Sequence, residues 1–120
     1  MTTKMGTFEG IYCYVGSAFG PGGLKARVSR HLRHEKPLRW HIDYLTTSSH
    51  FVPRKVFASD KRAECDLAFL LAEIFRGHSG FGSSDCRCPT HLFAIDSVDR
   101  LQRALIGAGF EEIELDQLRA

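Results

Sequence analysis

Two tyrosines stand two residues apart in the stretch "EGIYCYVGSA", directly before a glycine-rich loop. Residues 11–15 are predicted to form a strand, in which the side-chain direction repeats every two residues. Tyr12 and Tyr14 therefore point to the same face of a sheet. Two phenols on one face are compatible with ordinary packing and with half of an active site.

A basic helix follows, predicted from residue 24 to about residue 36. Arg27 and His31 are spaced i, i+4 on the flank of its apolar stripe, while Lys25, Ser29, Arg33 and Lys36 are expected to face outward. A guanidinium matches the oxygens of a phosphate, and a histidine can act as a general base. The alternative is a solvated basic face whose arginine covers apolar surface with its aliphatic stem.

Glu64 is expected in the first turn of a second helix, predicted from residue 60 to about residue 75. It falls on the apolar side, where a carboxylate is tolerated because the helix dipole favours negative charge near the N-terminus. Mg²⁺ commonly takes only one or two protein carboxylates and keeps several waters. Glu64 is thus a candidate metal ligand, or an acid that satisfies backbone amides of its own helix.

Two further groups of polar residues are candidates for a supporting site. Asp85, Cys86, Cys88 and His91 lie in and after a long loop, but Cys-x-Cys is a poor zinc spacing, which disfavours zinc and favours a role in folding the loop. In "RWHIDY", His41 and Asp43 share one face of a predicted strand, although a short helix also fits. A His–Asp pair there suits acid–base chemistry or a structural role.

The charge is unevenly distributed. The whole chain carries +2, whereas the span from Lys25 to His41 alone carries +5. Such polarisation attracts a charged ligand. The family resemblance given below implies that this ligand is nucleic acid, for which the candidate binding residues are Lys25, Arg30, Arg33, His34, Lys36 and Arg39.

Other classes of protein are disfavoured by the sequence. No apolar run approaches the roughly 18 residues that cross a bilayer, and the N-terminus lacks the apolar region of a signal peptide. The four cysteines are therefore expected in a reducing cytoplasm, as thiols or as metal ligands.

The length predicts one domain, residues 1–120. The apolar periodicity places this domain in the α+β class. It consists of a small sheet and about three helices. Strands are expected at 11–15, 51–59, 91–95 and 110–115, and helices at 24–36, 60–75 and 98–109, the last capped by Ser97.

Five motifs in this order resemble the GIY-YIG nuclease superfamily. They are most similar to one branch, found mainly in archaea and some bacteria and sometimes fused to endonuclease III. The motifs are "YVGSA" at 14–18, "GLKARVSRH" at 23–31, "WHIDYL" at 40–45, "ECDLA" at 64–68 and "GFGSSDCRCPTHLF" at 80–93.

The resemblance implies a small, mainly antiparallel sheet flanked by helices, and cleavage of phosphodiester bonds in DNA, in a repair context, with one Mg²⁺ or Mn²⁺ ion. Tyr14 then corresponds to the YIG tyrosine, Arg27 to the arginine that balances phosphate charge, and Glu64 to the metal ligand. His31 matches a histidine frequent in this helix. The alternatives are a non-catalytic nucleic-acid-binding module and a thiol or zinc module.

One departure from the superfamily concerns the first strand. "GIY" at 10–12 runs straight into "YVG", and Cys13 alone cannot make the turn of a hairpin. The N-terminal edge strand is therefore expected to be missing, or replaced at best by residues 2–8. Tyr12 is then the candidate substitute for the absent phenol, and the exposed strand edge could pair with a second copy to form a homodimer.

Overall fold

The computed structural model describes residues 2–3, 6–7, 10–16, 23–33, 36, 42–48, 51–59, 64–78, 81 and 90–118. The chain belongs to the α+β class, as predicted. Its strands are β1 (Thr2–Thr3), β2 (Gly6–Thr7), β3 (Ile11–Tyr14), β4 (Val56–Ala58), β5 (Arg76–Gly77), β6 (Leu92–Ile95) and β7 (Glu111–Ile113). Its helices are α1 (Gly23–Leu32), α2 (Asp43–Thr46), α3 (Glu64–Ile74), α4 (Val98–Gly107) and α5 (Leu115–Leu118). None of the helices in these ranges is long and apolar enough to span a membrane.

The fold divides into two units, which are described separately. The α1 unit consists of Met1–Glu9, Ala18–Val56 and Glu112–Ala120, and the α3 unit consists of Gly10–Ser17 and Phe57–Glu111. Strands β1 and β2 pair with each other in antiparallel fashion. β4 and β7 form a further two-stranded sheet.

The α3 unit is built on a three-stranded antiparallel sheet in the order β3-β6-β5. Cys13 lies opposite Phe93, and Tyr14 lies opposite Leu92. Because partners across antiparallel strands share a face, the sheet has one face with Cys13 and Phe93 and another with Tyr14 and Leu92. The shared face predicted for the two tyrosines is confirmed by this register.

Helix α3 packs on the Cys13–Phe93 face of the sheet. The buried cluster comprises Val15, Leu67, Ala68, Leu71, Phe75, Phe93 and Leu105. Gly77 lies opposite Phe93, and a Cβ at this position would collide with Thr90 Cγ2. A residue larger than glycine would therefore displace β5 or the chain before β6.

Several sequence-based expectations need correction. Residues 43–46 form helix α2 and not a strand, so Asp43 lies on a helix. α1 ends at Leu32 instead of continuing to residue 36, and Gly77 belongs to a strand instead of ending α3. The short elements β5, α2 and α5 add to the predicted set. β1 and β2 form a small antiparallel pair, and the three-stranded sheet contains neither of these strands.

Candidate functional site

His91 is a buried polar residue of the α3 unit. Its side chain is 2% exposed. Its backbone carbonyl accepts a hydrogen bond from the Val15 N–H (2.8 Å), and its own N–H donates to the Phe81 carbonyl (2.9 Å). The residue directly before β6 is thereby fixed on both sides.

The side chain of His91 contacts Glu64. The distance from His91 Nδ1 to Glu64 Oε1 is 3.1 Å, and the glutamate side chain is 28% exposed. Glu64 and Asp66 both occupy the first turn of α3, where the helix dipole stabilises a carboxylate. His91 Nε2 is buried and has no hydrogen-bond partner among the described residues. The first turn of α3 thus holds a partly exposed carboxylate against a buried imidazole.

The two tyrosines lie on the other face of the same sheet. Tyr14 is 37% exposed, and the residue opposite it, Leu92, directly follows His91. A Cβ at Gly16 would come within 3.3 Å of Tyr14 Cε2. The glycine of the "YVG" motif therefore lets the phenol ring lie close to the backbone.

The α1 unit contains a buried ion network centred on Asp43, which is fully buried. Arg30 donates to both carboxylate oxygens of Asp43, at 2.8 and 2.9 Å. Lys36 Nζ donates to the carbonyls of Arg30 (2.8 Å) and His31 (3.1 Å) and lies 3.9 Å from Asp43 Oδ1. The expectation that Lys36 and Ser29 face outward is wrong: the Lys36 side chain is 3% exposed, and Ser29 is buried.

This network changes the titration of its members. The hydrogen bond to Asp43 raises the pKa of Arg30. Burial lowers the pKa of Lys36 to about 8, although Asp43 opposes the shift. Arg30 and Lys36 are therefore engaged inside the unit, which leaves Lys25 and Arg33 as the exposed members of the predicted nucleic-acid-binding set described by the structure.

His31 is neutral near pH 7. Burial lowers its pKa to about 4, the charges of Lys36, Arg30 and Arg27 act in the same direction, and Asp43 acts against them. A neutral imidazole can accept a proton, but the lowered pKa makes His31 a weaker base than an ordinary histidine. Arg27, one turn earlier on α1, is half-buried.

Two cysteines of the α3 unit differ in state. Cys65, next to Glu64 in the chain, is disulfide-bonded, so the expectation that all four cysteines are thiols or metal ligands is wrong for Cys65. Cys13 is a free thiol, and burial raises its pKa to about 12. It is thus a core residue and a poor nucleophile.

The predicted site residues fall into three groups. Tyr12, Tyr14, Glu64 and His91 belong to the α3 unit, and Glu64 and His91 are in contact. The predicted residues of the α1 unit are Lys25, Arg27, Arg30, His31, Arg33, Lys36 and Asp43. His34, Arg39, His41, Asp85, Cys86 and Cys88 lie outside the described residues.

Sequence reasoning missed two partnerships in these groups. Glu64 and His91 are 27 positions apart in the sequence, and Arg30 and Asp43 are 13 apart, so no helical or strand period links them. A usable signal existed for Asp43 alone: a carboxylate within the apolar run "WHIDYL" requires a cationic partner.

Glu64 fits a magnesium-type ion. Within the described ranges, no group of three or more histidine, cysteine, aspartate or glutamate residues could hold a metal. A single carboxylate is nevertheless a sufficient protein contribution for Mg²⁺ or Mn²⁺, since such ions keep several waters. The side chain of Glu64 is partly exposed, and its contact with His91 is made through Oε1, so solvent and an ion can reach the carboxylate.

Comparison with known proteins identifies a family. The model of a family described as "Domain of unknown function DUF123" matches residues 2–113. No curated protein and no solved structure matches the chain.

Proposed function

The chain belongs to the family "Domain of unknown function DUF123", a GIY-YIG-like family, and from this premise we propose that it cleaves phosphodiester bonds in DNA with a divalent metal ion. The single observation that carries the proposal is the Glu64 carboxylate in the first turn of α3. It is partly exposed and is held by a buried histidine. A carboxylate so placed matches the metal ligand that the GIY-YIG resemblance implies.

The other roles follow the same resemblance. The ion, Mg²⁺ or Mn²⁺, supplies stabilisation of the charge that develops on the phosphate. The Arg27 guanidinium stabilises the same negative charge. The resemblance gives the deprotonation of the attacking water to a phenol or a histidine, for which Tyr14 and His31 are the candidates. The lowered pKa of His31 makes its imidazole a weaker base than that of an ordinary histidine, and Tyr14 and Tyr12 lie on the sheet face opposite α3.

The test is a cleavage assay on flap, fork and abasic duplexes with Mg²⁺ or Mn²⁺. Glu64→Gln and Arg27→Ala should each lower the rate at least about 100-fold, since groups that stabilise transition-state charge are worth that much. The matched controls are Asp66→Asn, the other acid of the first turn of α3, and Arg103→Ala, an exposed arginine on α4. Both controls should cleave like the wild type, and thermal melting should show that all four variants are folded.

A second candidate is a non-catalytic nucleic-acid-binding module. It is favoured by the arrangement of residues 2–7, whose two strands pair with each other and are not part of the three-stranded sheet. This candidate predicts binding that persists with a chelator and no cleavage of any of the three substrates. Cleavage that survives both Glu64→Gln and Arg27→Ala would come from a contaminating nuclease and would contradict the first proposal.

A further inference from the structure

The His91 side chain makes its only described polar contact with Glu64. Its Nδ1 lies 3.1 Å from Glu64 Oε1, and its Nε2 is buried with no partner among the described residues. A buried polar atom without a partner costs about 1–3 kcal/mol. An apolar side chain at this position would avoid that cost, so packing alone does not account for a histidine here.

The backbone around His91 makes it a rigid support. Val15 of the neighbouring chain segment and Phe81 each form a backbone hydrogen bond with it, at 2.8 and 2.9 Å. The next two residues, Leu92 and Phe93, are almost completely buried. The imidazole of His91 therefore has little freedom to move, and it restricts the Glu64 side chain that it contacts.

Glu64, in contrast, has a long and partly exposed side chain. A glutamate that is ordered from a mobile state loses about 1.5–2 kcal/mol of rotamer entropy. If a hydrogen-bond donor already orders the glutamate before the ion binds, part of this entropy loss no longer counts against ion binding. Glu64 Oε1 lies 3.1 Å from His91 Nδ1, and the glutamate side chain is 28% exposed.

We infer that His91 is a positioning residue, which donates its Nδ1–H to Glu64 Oε1 and so presents Oε2 to the divalent ion. The inference rests on the proposed function, because it takes Glu64 to be the metal ligand. It assigns His91 a role through Glu64 and not contact with the substrate. The arrangement is that of an outer-shell hydrogen bond, which orients a ligand and tunes its affinity.

The experiment measures Mn²⁺ binding to the full chain by electron paramagnetic resonance, without substrate. Glu64→Gln should abolish binding. His91→Leu, which removes the donor, should weaken it about 10- to 100-fold. His91→Asn should restore most of the affinity, since the asparagine amide nitrogen can take the place of Nδ1. His78→Asn, a histidine of the same unit that contacts the Phe81 ring and not Glu64, is the matched control and should bind like the wild type.

The outcomes separate the two levels of the proposal. If the wild type binds no Mn²⁺, or Glu64→Gln binds as the wild type does, the metal role of Glu64 fails and the inference falls with it. If Glu64→Gln loses the ion while His91→Leu retains full affinity, only the inference is overturned. If His91→Asn, melting like the wild type, loses as much affinity as His91→Leu, the imidazole acts through Nε2 and positioning is wrong. Should His91→Leu fail to fold, His91→Gln replaces it, because its amide lies too far along the side chain to mimic Nδ1.

Discussion

At the scale of single residues, burial decides what the candidate groups can do. His31 has a pKa of about 4, because its position on α1 removes water from the imidazole and places it near cations. A base with a lowered pKa remains deprotonated throughout the neutral range. The same burial makes the protein sensitive to acid, since the unfolded chain binds a proton at His31 more readily than the folded chain does.

We therefore expect His31 to contribute a pH-dependent part of the stability. Its pKa is about 4 when folded and 6.5 when unfolded. The contribution is fully present above pH 6.5 and is lost as the pH falls towards 4, at no more than about 1.4 kcal/mol per pH unit. Urea unfolding of the wild type and of His31→Asn between pH 4 and 7 measures it. The variant should lose stability less steeply, and parallel pH profiles would show that His31 is not the group responsible.

At the scale of elements, the sequence predicted the parts whose periods are clear. β3, α3, β6 and α4 lie where alternation, an apolar helical stripe or a cap indicated, and Ser97 accepts from the Arg100 N–H as a cap should (3.3 Å). α2 was missed as the first choice because "WHIDYL" alternates well enough for a strand. β5 has two residues, too few to show any period. The contacts of Glu64 and Asp43 depend on tertiary structure, which no local pattern contains.

The ion network of the α1 unit holds two elements together. Asp43, on α2, is bound by Arg30 of α1, and Lys36 covers the last carbonyls of α1 while approaching the same carboxylate. Asp43→Asn would leave the buried Lys36 and the partly buried Arg30 without a counter-charge. The expected loss of unfolding free energy is about 3–5 kcal/mol.

Urea unfolding measures this loss against a matched exposed pair. Asp96→Asn removes an acid whose partner, Arg100, lies 3.4 Å away at i, i+4, with both side chains mostly exposed. That change should cost no more than about 0.5 kcal/mol. Equal effects of the two substitutions would mean that the Asp43 network contributes nothing beyond a surface ion pair.

At the scale of the whole molecule, the distribution of charge is less one-sided than the sequence indicates. The span from Lys25 to His41 carries +5 in a chain of +2, but two of its six basic side chains, Arg30 and Lys36, are engaged with Asp43 inside the α1 unit. The cations available for long-range attraction of DNA are those that remain in water. Among the described residues of this span, Lys25 and Arg33 are exposed.

The salt dependence of DNA binding tests this division. The assay contains a chelator to prevent cleavage. Lys25→Ala and Arg33→Ala should each reduce the slope of log K against log salt by about 0.9 on duplex DNA, because binding with one phosphate contact fewer releases fewer counterions. The affinity should fall equally for all sequences, since phosphate contacts carry no base information. Arg103→Ala removes the same charge from exposed α4 and should leave the slope unchanged. An equal reduction in all three variants would mean that net charge alone attracts DNA, whereas unchanged slopes in Lys25→Ala and Arg33→Ala would place the DNA-binding surface outside α1.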